Sequence, residues 1–321
     1  MPTLVTEAVA TRRARLRRET IALLMSLAPN EGYNLCALPD VRFLRSDRPL
    51  TRTPVLYEPG IVIVCQGRKR GFFGGEVYRY DAEHYLVVSL PLPFTMETDA
   101  TARQPLLAIY LRLDFQLAAD LLLRLDERDA LVPAEPKGLA TTPVDARLAQ
   151  SVLRFLEAMA DPLEAELLGP TLLRELYFHV LVGEQGGSMR AALQARGRFG
   201  GIARAVRRIH ATLATPLSVP ELAREANMSI ATFHAQFKQV TNTSPIQYIK
   251  STRLHQARLL IAREGRTAAS AAAEVGYESA SQFSREFKRL FGRSPLAEVA
   301  RMHRDFARPD PGPSSGFVSS H

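Results

Sequence analysis

The spacing of hydrophobic and polar positions divides the first 182 residues into three regions. Residues 8–27 place their apolar side chains at helical intervals, with arginines on the remaining faces. Residues 33–113 alternate short apolar runs such as "GIVIVCQG" with Gly and Pro, which is typical of strands joined by turns. Residues 115–182 return to three- and four-residue spacing. We therefore predict a helix, then a small antiparallel barrel or sandwich, then a helical segment.

One of the later helical runs carries a continuous apolar stripe. Its members recur at three- and four-residue intervals and are Leu148, Val152, Phe155, Leu156 and Met159. A stripe of this kind has to pack against another apolar surface. The sequence leaves two partners open, either the chain's own barrel or the same helix of a second copy. The second alternative would make the protein a homodimer.

Two stretches in the C-terminal third repeat each other at an offset of 50 residues. Residues 229–245 read "SIATFHAQFKQVTNTSP" and residues 279–295 read "SASQFSREFKRLFGRSP". Each predicts a Ser N-cap followed by a helix that buries Phe side chains four residues apart. Upstream, "VPELAREANM" corresponds to "ASAAAEVGYE", which aligns Ala223 with Ala273. Each copy thus predicts a helix-turn-helix unit, and a long helix after Pro245 joins the two units.

The face opposite the phenylalanines is polar in both copies. Short polar, amide and cationic side chains on an exposed helix suit base edges and phosphates. The candidate DNA contacts are Ser229, Thr232, His234, Ala235, Gln236 and Lys238 in the first copy, and Ser279, Ser281, Gln282, Ser284, Arg285 and Lys288 in the second. If both units face the same way, their second helices would enter successive major grooves, about 34 Å apart.

Arg285 and Ala235 occupy equivalent positions, so the two units differ in their ability to read bases. An arginine can contact guanine through two hydrogen bonds, whereas alanine offers only an apolar contact. We therefore predict that direct readout is concentrated in the second unit. Two alternatives for Arg285 stay open, which are a phosphate contact and a surface pair with Glu278 or Glu286.

Charge is unevenly distributed along the chain, whose formal net charge is +8. Residues 197–308 contain 18 Lys and Arg against 8 Asp and Glu, and the remainder is slightly acidic. A segment this basic is typical of nucleic-acid binders, although it would also suit an anionic membrane or an acidic partner. No apolar run approaches the roughly 20 residues of a membrane-spanning helix, and the N-terminus lacks the features of a secretory signal. We expect a cytoplasmic protein.

Gly-rich and Pro-rich segments predict the domain boundaries. The stretch "GEQGGSMRAALQARGRFGG" predicts a flexible linker at residues 183–201. It would separate a regulatory domain at residues 1–182 from a DNA-binding domain at residues 202–308. The final stretch "DPGPSSGFVSSH" predicts a disordered tail within residues 309–321.

The barrel region contains candidates for effector binding. The stretch "QGRKRGFFGG" could hold an anionic effector, and the alternative is a basic hairpin in water. Cys65 could sense oxidants, and the alternative is a small buried apolar residue. The candidate effector contacts are Arg48, Arg52, Cys65, Arg68, Lys69 and Arg70. With two cysteines, Cys36 and Cys65, the chain has neither a disulfide framework nor a four-cysteine zinc site.

No combination of residues predicts an active site. His84 lies beside Asp81 and Glu83, but it is the one histidine of the barrel region, and a metal centre of cupin type needs several. The short Gly-rich runs match neither a dinucleotide fingerprint nor a nucleophile elbow. We predict no catalytic residue, no metal and no cofactor. An enzyme with a catalytic barrel and a basic DNA tether is the alternative function, which the duplicated helix-turn-helix pattern disfavours.

The C-terminal hundred residues resemble the DNA-binding domain of AraC/XylS-family transcription regulators, whose signature reads here "AAEVGYESASQFSREFKRLFGRSP". Residues 57–114, with "YEPGIVIVCQGRK" and "YDAEHYLVVSLPLP", resemble the cupin-like N-terminal regulatory domain of one branch of that family. The resemblance implies an α+β protein with an N-terminal cupin-like barrel, flanking helices and an all-α C-terminal domain. It also implies an activator that senses a signal, often as a homodimer, binds promoter DNA and contacts RNA polymerase. Many members carry a long polar residue at the position of Ala235.

Overall fold

The computed structural model describes residues 2–127, 137–183, 186–194 and 197–305. Its N-terminal half begins with helix α1 (Pro2–Leu27), and nine strands follow as the spacing of residues 33–113 predicted. The strands are β1 (Gly32–Leu35), β2 (Val41–Ser46), β3 (Leu50–Tyr57), β4 (Gly60–Gln66), β5 (Arg68–Phe73), β6 (Glu76–Asp81), β7 (His84–Val88), β8 (Leu92–Asp99) and β9 (Leu106–Arg112). A tenth strand that the sequence did not predict, β10 (Leu139–Pro143), pairs with β7.

The strands form one antiparallel sheet in the order β1-β2-β9-β4-β7-β6-β5-β8-β3. Its two faces bury different side chains, because successive residues of a strand point to opposite sides. Along β4, Val62 and Val64 point into the barrel, whereas Ile61, Ile63 and Cys65 point outward. The outward-facing residues pack under helices, so β4 is apolar on both faces. This half of the molecule confirms the predicted cupin-like barrel with flanking helices.

The flanking helices show which surface the apolar stripe packs against. They are α2 (Phe115–Asp126), α3 (Ala146–Ala160), α4 (Pro162–Leu167) and α5 (Gly169–Val182). All five residues of the stripe lie on α3 and are buried within the chain, against α1, α5 and the outer face of the sheet. The stripe therefore belongs to the chain's own core, and a dimer through this helix is contradicted.

Two helices occupy most of the segment that was predicted to be a flexible linker. They are α6 (Gly186–Gln194) and α7 (Gly197–Ala211). Met189, Phe199 and Ile202 on these helices are buried. Burial of these apolar side chains outweighs the helix-breaking tendency of the glycines around them. The helical C-terminal half thus begins at residue 197 rather than 202, and the predicted tail at 309–321 lies outside the described residues.

The C-terminal half is all helical, as predicted. Its further helices are α8 (Val219–Glu225), α9 (Ile230–Thr241), α10 (Pro245–Glu264), α11 (Ala268–Glu274), α12 (Ala280–Phe291) and α13 (Pro295–Asp305). Helices α8 and α9 form the first helix-turn-helix unit, α11 and α12 form the second, and α10 is the long helix between them. Arg253 on α10 donates to the carbonyls of Leu213 and Gly276, which lie one in each half of this domain.

The two units differ by one residue in their turns. The second helices correspond at the offset of 50, but the first helices, their N-caps Ser218 and Thr267 included, correspond at 49. The structural equivalent of Ala223 is therefore Ala272, since both are buried, and the predicted match with the exposed Ala273 is wrong. Gly276, at φ +82°, lies in the longer turn, and a Cβ there would lie 2.8 Å from the Ala214 carbonyl oxygen.

The two halves of the molecule share a buried contact. One core cluster runs from the barrel interior into the first helix-turn-helix unit. Tyr248 on α10 donates its hydroxyl to the carbonyl of Pro91, and Arg258 on α10 donates to the carbonyl of Pro54 at 3.4 Å. Arg258 also forms an ion pair at 3.2 Å with Glu298 on α13, and both side chains are buried. Helix α10 is therefore an element of the domain contact as well as the connection between the two units.

Candidate nucleic-acid interface

Helix α9 presents one polar face and buries the other. Ser229 caps it by accepting a hydrogen bond from the backbone N–H of Thr232, which satisfies one of the free amides of the first turn. Phe233 and Phe237 are fully buried against the other helices of the domain. The side chain of Lys238 lies on the exposed face. The local sequence alone explains this orientation, since the cap and the two rings set where the helix starts and which side is buried.

Helix α12 repeats the arrangement with a more basic exposed face. Ser279 caps it through the backbone N–H of Gln282. Phe283, Phe287 and Phe291 are buried. The helix ends at Gly292, which has the left-handed conformation that glycine adopts without steric cost. Its last turn is basic, which suits the helix dipole and an anionic partner.

The predicted DNA contacts lie on these two faces. Ten of the twelve are exposed, and Thr232 and Gln236 are partly buried. The structure therefore presents a polar face on each second helix. Ser229 and Ser279 are exposed, and their hydroxyls also accept the capping hydrogen bonds that fix where α9 and α12 begin.

The surroundings of Arg285 exclude one of the two alternatives to base readout, which is a surface pair with a nearby acidic residue. Glu286 is held by Lys250 at 2.7 Å and by the Tyr277 hydroxyl at 2.8 Å. In the part of the chain that the structure describes, Arg285 has neither an ion pair nor a hydrogen bond, and its side chain is exposed. The surface pair with Glu278 or Glu286 is therefore absent within residues 197–305. The guanidinium is available to an external partner.

The sequence did not indicate a role for Lys250 or Arg253. Both residues lie on α10, and their contacts fix the position of the second unit relative to that helix. Lys250 reaches Glu286 on α12, and Arg253 reaches the turn before α12 through the Gly276 carbonyl. Burial opposes ionisation of the Glu286 carboxyl, but hydrogen bonds from Lys250, Tyr277 and Gln282 keep its pKa below the ordinary value. No sequence signal identifies these contacts, because the partners are 23 and 36 residues apart.

The predicted effector contacts are distributed over four places, one of which is the outer face of the sheet, where Cys65 lies under the helices. Arg48 and Arg52 line a cleft between the barrel and the C-terminal half. Lys69 lies in the barrel interior, where its ammonium donates to the Tyr57 hydroxyl at 3.2 Å. Arg70 pairs with Glu97 and Asp99 beside Arg68 on the same strand. The structure therefore does not bring the whole predicted set together.

Burial changes the chemistry of two of these candidates. It raises the pKa of the Cys65 thiol to about 12, so the thiol stays protonated at neutral pH and packs as a small apolar group. Burial also lowers the pKa of the Lys69 ammonium well below its ordinary value. Among the described residues, no group of His, Cys, Asp and Glu is arranged to hold a metal ion. His84 Nδ1 lies 3.2 Å from a carboxylate oxygen of Asp81.

None of the helices formed by the described residues has both the length and the apolar character needed to cross a bilayer. Helix α1 has 26 residues, but it contains several arginines, so its charge excludes it as a membrane-spanning helix.

Comparisons with known proteins agree with this architecture. Residues 37–188 match the family model of the AraC-type transcriptional regulator N-terminus, and residues 222–301 match that of a helix-turn-helix domain. An AraC-like transcription regulator of Streptomyces lividans is 30% identical over 163 residues, which cover 48% of this chain and 53% of that protein. The regulator AlkR of Acinetobacter baylyi is 33% identical over 94 residues, which cover 29% of this chain and 31% of AlkR.

The curated relatives are matched over part of their length, between 31% and 53% for the first five. Among solved structures, fatty-acid-bound ToxT from Vibrio cholerae is similar in fold, with a TM-score of 0.53 at 12% identity. That match covers 80% of this chain and 94% of ToxT. The regulatory-domain and helix-turn-helix models together cover more than two thirds of the chain, in the order and positions where the barrel and the paired units are found. The chain therefore belongs to the AraC family of transcriptional regulators.

Proposed function

We propose that this protein is a sequence-specific transcriptional regulator that binds promoter DNA through α9 and α12. The observation that carries the proposal is the pair of capped helices, each with a buried phenylalanine face and an exposed polar face, held together by α10. The basic excess of residues 197–308 supplies attraction to phosphates. Family membership in transcriptional regulators, rather than enzymes, supports the same function.

The division of labour that we propose places regulation in residues 1–182 and DNA binding in residues 197–305. The barrel would receive the signal, and the contact between the barrel and α10 would transmit it. ToxT, whose fold is similar, has been crystallised with an unsaturated fatty acid. A small-molecule effector for the present chain is a proposal supported by that relative and by the basic side chains near the domain contact.

Selection of bound sequences from a randomised duplex pool tests DNA recognition and the separate roles of Arg285 and Lys288. Arg285→Ala should relax the preference at one base pair, where a bidentate guanine contact typically discriminates by about 1–3 kcal/mol. Lys288→Ala should weaken all sequences alike and lower the slope of log affinity against log salt by about one unit. The wild-type footprint should span two successive major grooves.

Two controls sharpen this experiment. Arg79→Gln removes an exposed charge from β6 of the barrel and should leave both the preference and the salt slope unchanged. If Arg285→Ala lowers affinity uniformly and keeps the preference, Arg285 is a phosphate contact and the assignment of direct readout to the second unit is wrong. If the wild-type protein selects no sequence at all, the proposed function itself is contradicted.

We further propose that the regulator acts in the cytoplasm as a homodimer that contacts RNA polymerase. Because the apolar stripe of α3 is buried within the chain, the dimer contact that we propose is an exposed apolar group at α4 and α5. Its members are Leu163, Leu167, Leu168 and Phe178. Large exposed apolar side chains favour association, and a dimer would place two DNA-binding domains on one promoter.

Light scattering at micromolar concentration tests the dimer. The wild-type protein should have twice the mass of one chain, and Leu163→Asp with Leu167→Asp should give a folded monomer because each exposed leucine would be replaced by a solvated carboxylate. Leu296→Asp, at an exposed position on α13, is the matched control and should stay dimeric. A monomeric wild type, with and without DNA, would rule the dimer out.

A further inference from the structure

Glu286 lies on α12 at the border between the exposed polar face and the buried phenylalanine face. Its side chain is 12% exposed. Lys250 of α10 donates to its Oε1 at 2.7 Å, and the hydroxyl of Tyr277, in the turn before α12, donates to its Oε2 at 2.8 Å. Gln282, one turn earlier on α12, donates its side-chain Nε2 to Oε1 at 3.3 Å. The carboxylate thus connects α10 with a side chain of the predicted DNA-binding face.

The first helix-turn-helix unit is built differently at the equivalent positions. The second helices of the two units correspond at an offset of 50, so Gln236 stands at the position of Glu286. Thr232 stands at the position of Gln282. The amide of Gln236 donates to Gln239 of the same helix at 3.2 Å. A carboxylate that holds a side chain of the DNA-binding face is therefore a feature of the second unit.

The charge state of Glu286 determines which end of the Gln282 amide it can hold. Burial opposes ionisation, but the hydrogen bonds keep the pKa of this carboxyl below its ordinary value, so it is a carboxylate at neutral pH. A carboxylate only accepts hydrogen bonds, so it binds the amino end of the amide. The carbonyl oxygen of Gln282 has no partner in the described part of the chain, and the side chain is exposed. Lys250 balances the charge of Glu286, which would otherwise repel DNA phosphates.

We propose that Glu286 sets the base specificity of the second unit by holding the amide of Gln282 with its carbonyl oxygen available to DNA. An unrestrained glutamine can present its oxygen to the amino groups of adenine and cytosine, or its amino group to the carbonyl oxygens of guanine and thymine. The restrained Gln282 favours adenine or cytosine. Glu286 is thus a positioning residue that acts through Gln282. The inference rests on the proposed function, because it specifies which bases the second unit reads.

Selection by the full chain from a randomised duplex pool, followed by affinity measurements on single-base variants of the selected site, tests the inference. The wild type should prefer adenine or cytosine over guanine or thymine at one base pair by at least about fivefold. Gln282→Ala should abolish that preference and so identify the pair. Glu286→Ala should reduce it to less than about twofold, because the released amide can present either end. The double variant should equal Gln282→Ala at this pair, since Glu286 acts through Gln282.

Two further variants separate the positioning of Gln282 from a general effect of charge or of folding. Glu286→Gln should keep the preference, because its amide oxygen can replace the carboxylate oxygen that Lys250 and Gln282 share. Glu278→Ala is the matched control, since it removes one negative charge from an exposed position in the turn before α12. It should leave the preference unchanged. In every variant the preferences at the other base pairs should stay as in the wild type, which shows that α12 keeps its place.

Several results would overturn the inference. Glu286→Ala could keep the preference, lose preferences at other base pairs as well, or lose duplex binding, and in the last two cases Glu286 supports the helix as a whole. Equal losses in Glu286→Gln and Glu286→Ala would show that the acceptor oxygen does not orient Gln282. A selected site that Gln282→Ala leaves unchanged, or a wild-type preference for guanine or thymine at that pair, would overturn the inference alone. A wild type that selects no sequence would instead contradict the proposed function.

Discussion

Replacing Glu298 with glutamine should lower the free energy of unfolding by about 3–5 kcal/mol. The carboxylate accepts from Arg258 and Arg301, and both members of the Arg258–Glu298 pair are almost fully buried. Burial lowers the pKa of the Arg258 guanidinium to about 10 although Glu298 raises it. An arginine does not lose its proton in a protein at neutral pH, so Arg258 stays charged when its partner is removed. A glutamine cannot neutralise that charge. The cost follows from leaving a buried cation without its anion.

Urea denaturation at neutral pH measures this loss as a lower midpoint with an unchanged slope. Glu264→Gln is the control, because Glu264 pairs with Arg266 on the surface, where such pairs contribute at most about 1 kcal/mol. A loss for Glu298→Gln as small as that of the control would show that the pair contributes little to stability. The result bears on function, since Arg258 also donates to the Pro54 carbonyl of the barrel.

Glu58 should make the protein less stable as the pH rises from about 5 to about 8. Burial raises the pKa of this carboxyl from its ordinary 4.5 to about 7, and the charges of Arg112, Arg42 and Arg263 only partly offset burial. The folded state therefore holds a proton that the unfolded state has released. The stabilisation is complete below pH 4.5, decreases above it and is lost as the pH passes 7. Its full size is about 3 kcal/mol, at 1.36 kcal/mol per pKa unit.

Glu58→Gln should abolish this dependence. The glutamine variant should be more stable than the wild type by up to about 3 kcal/mol at pH 8 and should match it near pH 4, where the carboxyl is protonated in both states. Urea midpoints of both proteins across this range test the expectation, and exposed Glu278→Gln shows the effect of removing a surface carboxylate. A constant difference between wild type and Glu58→Gln at all pH values would contradict the assignment. In the described part of the chain, Glu58 Oε2 lacks a hydrogen-bond partner, which agrees with a protonated acid.

The sequence by itself determined the repeated unit and the face it exposes. Ser229 and Ser279 cap helices whose phenylalanines recur every fourth residue, and these are interactions between neighbours in the chain. Local interactions of this kind place the same side chains outward whatever the rest of the fold does. The barrel was also predictable, because apolar runs broken by turn residues indicate strands wherever they pack.

Only the tertiary structure decided which surfaces meet. An amphipathic pattern states that Leu148 and Phe155 must be buried, but either the chain's own sheet or a second copy would satisfy it, and the structure uses the sheet. The same holds for the helices at residues 186–211, which form because distant core residues cover Met189 and Phe199. The pairing of Arg258 with Glu298 and the burial of Glu58 join positions far apart in the chain. Desolvation and charge pairing depend on three-dimensional neighbours, so these properties appear only when the barrel and the helix-turn-helix units pack together.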